Sequence, residues 1–131
     1  MTIQMKKIFG VYNARAGFWG ELNYLFDKLS NGRHCELCDI THYLIGMKPS
    51  WKRFTYNLKI PLILIHINEQ NSLMETYTRG KTPCVILGKG NKFEMLLDKS
   101  ELSYCEGKVE RFIERFHVAL QKRGFRGEKC I

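Results

Sequence analysis

Apolar positions recur along the 131 residues with two different spacings, and their alternation predicts an α/β chain. Residues 7–13 read as a first strand, because Ile8, Val11 and Tyr12 are β-formers between polar flanks. Ala16-Gly17 opens a helix whose stripe is Phe18, Leu22, Leu25, Phe26 and Leu29, and Ser30-Asn31-Gly32 stops it. Leu37, Ile40 and Leu44 predict a second helix ending near Gly46. Pro49 starts a third, with Trp51, Phe54 and Leu58 at i, i+3 and i+7. These two helices read as an insertion, about residues 33–58, between the first and second strands.

Residues 60–67 are the clearest strand. Leu62, Ile63, Leu64 and Ile65 are apolar on both faces, which predicts a central parallel strand, and Pro61 fits only its beginning. Residues 68–80 predict a short helix and a loop. Thr82-Pro83 then precedes Cys84-Val85-Ile86-Leu87, Gly88-Lys89-Gly90-Asn91 signals a turn, and residues 93–97 return as the second strand of an antiparallel hairpin. Residues 98–107 read as a connector. A last helix is expected from about Lys108 to Arg123, with Val109, Phe112, Ile113, Phe116 and Leu120 on one face and Gly124 after it. Residues 125–131 read as a loose tail, and the whole as a single domain without internal repeats.

Composition narrows the class. Hydrophobic residues at 44% and charged residues at 26% describe a chain able to build a core, which excludes a disordered one. No apolar run approaches the roughly 20 residues that span a bilayer, so no membrane partner is expected. Lys6 and Lys7 precede only a short apolar run with no cleavage pattern, and a cytoplasmic protein is expected. Five cysteines at irregular spacing argue against a disulfide framework. The formal charge of +8 raises affinity for nucleic acid. The basic residues are dense only at 48–59 and 122–129, however, which favours solvated faces over a nucleic-acid footprint.

The densest chemistry is His34-Cys35-Glu36-Leu37-Cys38-Asp39-Ile40-Thr41-His42. Three readings are open. In the redox reading, Cys35 at a helix start takes hydrogen bonds from unsatisfied amides and attacks, and Cys38 resolves. Arg33 and His34 favour the thiolate, whereas Glu36 and Asp39 oppose it. In the metal reading, Cys35 and Cys38 join His34, His42 or His66 around zinc or an iron–sulfur cluster. Cys35 and His42 lie about 10.5 Å apart along a straight helix, too far to share one ion, whereas Cys38 and His42 are near enough. In the third reading both thiols simply pack. His66, Tyr12 and Asn13 fall near the carboxyl ends of their strands, where open α/β sheets bind ligands. Trp19 and Trp51 either line a groove or fill the core. No phosphate loop, dinucleotide fingerprint, nucleophile elbow or HExxH stretch occurs.

Without the inserted helices, the order strand, helix, strand, helix, Thr-Pro, hairpin, helix resembles the thioredoxin-like fold. The resemblance implies that Pro83 follows a cis peptide bond and shapes a substrate groove with Thr82 and Cys84. The stretch Tyr12-Asn13-Ala14-Arg15-Ala16-Gly17-Phe18-Trp19 resembles the Tyr-Asp-Gly-x-Cys-Gly-Phe-Cys opening of the bacterial Asp-Cys-Cys thiol-disulfide oxidoreductases. Tyr12, Gly17 and Phe18 match, but Asn13, Ala16 and Trp19 replace the acid and both thiols, so that activity does not carry over there. Tyr12, Asn13 and Trp19 are left as groove residues. Cys35, Leu37, Cys38 and Thr41 are also similar to a Cys-x-Leu-Cys-x-x-Thr stretch of uncharacterised bacterial proteins. The expectation is a cofactor-free thiol-disulfide protein acting on protein or small-molecule thiols. The alternative is a non-catalytic module of the same fold whose cysteines bind zinc or iron or are structural.

Overall fold

A computed structural model describes residues 6–13, 36–41 and 47–123. The expected helix over residues 16–30, together with Trp19, His34, Cys35, His42 and the tail at 125–131, lies outside the described residues. Among the described residues four strands form one mixed sheet: β1 (Lys6–Val11), β2 (Leu62–Ile65), β3 (Cys84–Lys89) and β4 (Lys92–Leu97), in the order β2-β1-β3-β4. β1 pairs parallel with β2, Ile8 opposite Leu62, and antiparallel with β3, Val11 opposite Cys84. The β3–β4 hairpin turns through Gly90-Asn91 between the paired Lys89 and Lys92. Gly90 has φ of 63°, a left-handed value at which glycine has no Cβ to strain.

Alternation along each strand divides the apolar side chains between two faces. Ile8, Tyr12, Val85 and Leu87 point to the first face, and Val11, Cys84 and Ile86 to the second. Helices α1 (Glu36–Thr41), α2 (Pro49–Tyr56), α4 (Lys99–Tyr104) and α5 (Val109–Gln121) cover the first face. The second is packed by α3 (Ser72–Thr78), through Met74 and Tyr77. Trp51 and Phe54 of α2 meet Phe112 and Phe116 of α5 as a knot of rings. Trp51 lies 4.9 Å from Phe112 and Phe54 lies 5.5 Å from Phe116, both edge to face. Trp51 is therefore core, not groove.

β4 carries a bulge. Val85 pairs with Leu97 and Ile86 with Met95, so Leu96 is the extra residue, and Leu96 and Leu97 both join the first-face core.

Two expectations need correction. β2 is shorter than residues 60–67 and, among the described residues, is not central: it stands at the edge of the four-stranded sheet, with Ile63 36% exposed. An apolar run reads alike in both places, because apolar side chains on a strand do not say whether a second strand pairs with it. The connector at residues 98–107 is largely helix α4. Asp98 caps it by accepting from the Glu101 amide at 2.9 Å, and the Glu101 carboxylate accepts from the Asp98 amide at 3.1 Å.

Candidate functional site

The antiparallel register of β1 and β3 places residues 12 and 13 beside residues 83 and 82. Thr82 continues the pairing with side chains, its hydroxyl donating to Asn13 Oδ1 at 3.1 Å. The Thr82–Pro83 bond is cis, and Pro83 is buried. Tyr12, Asn13, Thr82 and Pro83 thus share one end of the sheet, the carboxyl end of β1.

Helix α1 is brought to that same end. The Tyr12 hydroxyl lies 2.9 Å from Thr41 Oγ1, and both side chains are buried. Thr41 Oγ1 also donates to the Cys38 carbonyl at 3.4 Å. Leu37 presses on the strand beneath. A Cβ on Gly10 would stand 3.2 Å from the Leu37 Cδ2 and 2.8 Å from the Leu64 Cδ2, so only glycine leaves room for this approach. Cys38 is 8% exposed and belongs to the core cluster that holds Leu37, Ile40 and Tyr12.

His66 follows β2 at the same end. Its ring sits 5.1 Å from that of Tyr12 and its Nδ1 donates to Glu69 Oε1 at 2.8 Å. That bond leaves Nε2 as the acceptor of the neutral ring. The Glu69 carboxyl is held below its ordinary value by the His66 backbone amide and then by its ring.

Cys84 is separated from this group. It is fully buried on the second face with Val11 and Met74, whereas Cys38 lies on the first. Burial pushes the Cys84 thiol up to about 12, so it is a poor nucleophile and has no surface to offer a substrate. Cys105 at the end of α4 is likewise buried, pushed up to about 11, and donates to the Glu101 carbonyl at 3.4 Å. Of the proposed metal ligands, Cys38 and His66 are described and Cys35 and His42 are not. Among the described residues no three His, Cys, Asp or Glu side chains converge on a point. Thr41 and Glu69 were not singled out as site partners by chemistry in the sequence. Glu69 has a local signal, three residues after His66, whereas the Tyr12–Thr41 contact has none.

No helix among the described residues is long and apolar enough to cross a membrane. Comparison with family models, with curated proteins and with solved structures finds no match for the chain.

Proposed function

We propose that the chain is a thioredoxin-like thiol-disulfide protein in which Cys35 attacks and Cys38 resolves. The carrying observation is the Tyr12–Thr41 bond, which ties the helix bearing Cys38 to the sheet end where Pro83 lies. The strand order β2-β1-β3-β4, with β3 opposed to the other three, supports the fold assignment. The cis Thr82–Pro83 bond occupies the place the resemblance implies.

The reaction balances over two thiols. The Cys35 thiolate bonds to one sulfur of a substrate disulfide, and the other sulfur leaves as a thiolate that takes a proton. Cys38 then loses its proton and bonds to the Cys35 sulfur, releasing the second substrate thiol. The substrate gains two electrons and two protons, and the protein becomes the Cys35–Cys38 disulfide. Reduced glutathione or a protein dithiol would restore it. The burial of Cys38 suits a resolving thiol, which meets only the mixed disulfide and not bulk solvent.

The test is to equilibrate the protein across a glutathione redox series, alkylate, and map the modified cysteines by mass. A Cys35–Cys38 disulfide that titrates with the poise is expected and should vanish in Cys38→Ala. A pair that stays reduced throughout rejects the reading. The second reading, a binding module of the same fold with structural or metal-bound cysteines, draws on the apolar setting of Cys38. Stoichiometric zinc or iron in the purified protein would favour its metal form, and a fully reduced, metal-free protein its packing form.

A further inference from the structure

At the opposite end of the same sheet, the ladder brings together lysines that are far apart in sequence. Lys6 is opposite Lys89, and Lys89 is opposite Lys92, so three ammonium side chains lie abreast on β1, β3 and β4. All three are on the first face, because Ile8 and Leu87, two residues along from Lys6 and Lys89, join that core. Like charges directly opposite one another weaken a sheet, and an anion bound between Lys89 and Lys92 would offset that repulsion. The end of α5 adds Lys122 and Arg123 above the same face, enclosing a half-open cleft of about 770 Å³. Glu94 is the carboxylate of its lining among the described residues, and Arg123 Nε engages it at 3.1 Å. Arg123 also donates to the Ala119 carbonyl at 3.0 Å and to the Met95 carbonyl at 2.5 Å, so it neutralises Glu94 and braces α5 on β4.

We propose that this cleft binds a compact polyphosphate anion, with Lys6, Lys89, Lys92 and Lys122 as the ammonium donors to a triphosphate group. Lysine meets phosphate as a point charge, which suits a flexible chain of phosphates better than a fixed planar carboxylate. The volume falls in the range of small-molecule sites, about 300–1,000 Å³. A single-stranded nucleic acid would need aromatic rings on which bases stack, and among the described residues no aromatic side chain lines the cleft. The site is independent of the thiol chemistry proposed above.

The experiment is calorimetric titration of the reduced full chain with inorganic triphosphate and, separately, with ATP. The Lys89→Gln/Lys92→Gln variant is compared with Lys52→Gln/Arg53→Gln, which removes the same charge from exposed positions on α2. Triphosphate affinity is expected to fall about tenfold or more in the first variant and to change less than about twofold in the second. Equal affinities for the two ligands would mean that phosphate alone is read, and tighter ATP binding that Asn91 or Leu87 contributes. Both support the cleft. Triphosphate should also raise the melting temperature of the parent and not that of Lys89→Gln/Lys92→Gln. Equal losses in both variants, no binding at about 1 mM ligand, or tighter lysine-dependent binding of duplex DNA would overturn the proposal.

Discussion

The buried hydroxyls of Tyr12 and Thr41 meet at 2.9 Å although the two residues are 29 apart in sequence. One sits just past the end of β1 and the other closes α1, so this bond fixes where the thiol-bearing helix rests. Tyr12→Phe and Thr41→Val should each cost about 1–2 kcal/mol, since each removes the bond between the two buried hydroxyls. The double variant should cost about 1 kcal/mol less than the sum. Urea denaturation of all four proteins checks this, and strict additivity would mean that the bond contributes nothing.

Gly10→Ala sets two effects against each other. Replacing glycine in a strand gains about 0.5–1 kcal/mol of chain entropy, whereas overpacking costs about 1–3 kcal/mol. Leu64 is half-buried and can swing away from the new methyl, but Leu37 is fully enclosed and cannot. A net loss of about 1 kcal/mol is expected, with faster alkylation of Cys38 as α1 lifts. An unchanged urea midpoint would show that Leu37 yields.

Alkaline pH should weaken the fold through Cys84 and Cys105. From an ordinary thiol value of 9.0, burial raises them to about 12 and about 11. Above about pH 9 the unfolded chain sheds these protons while the folded chain keeps them. Stability therefore declines as pH rises, by up to about 1.4 kcal/mol per pH unit for each thiol, until each folded-state value is reached. Denaturation midpoints between pH 8 and 11 should fall less steeply in Cys84→Ala and Cys105→Ala than in the parent. Equal slopes would contradict this.

Asp98→Ala removes the cap of α4 and should cost about 1 kcal/mol. The Ser100 hydroxyl, followed by the Glu101 amide, holds the Asp98 carboxyl below its ordinary 3.8. Its contribution is thus complete above that pH and is lost as acid protonates the folded form. At neutral pH, thermal melts of Asp98→Ala and Asp98→Asn should differ, with Asn retaining most of the cap.

Local periodicity carried much of the architecture. Of the stripe Val109, Phe112, Ile113, Phe116 and Leu120, Ile113 is half-buried and the other four are buried, and Gly90-Asn91 turns the hairpin. The position of β2 could not be read this way, because hydrophobicity reports what covers a strand and not what flanks it. α4 escaped notice because only Leu102 and Cys105 face its core, although the Asp98 and Glu101 spacing already carried a capping box.

Sites made by the sheet were less legible than the elements. Tyr12, Asn13, Thr82 and Pro83 were named through a family likeness, and the register explains why they belong together. Thr41 was named only beside the cysteines, through a second likeness, and tertiary contact brings it to Tyr12. Linear charge density pointed to residues 48–59 and 122–129, yet Lys6, Lys89 and Lys92 become neighbours only when strands pair.

Strand β1 runs from Lys6 to Val11 with Tyr12 just beyond. At about 3.3 Å per residue, its span holds the two ends about 20 Å apart. Physiological salt damps exposed charges over about 8 Å, so ammonium groups at one margin exert almost no field on a sulfur at the other. Distance and salt, not the sheet itself, thus keep the charges of one margin from the chemistry of the other.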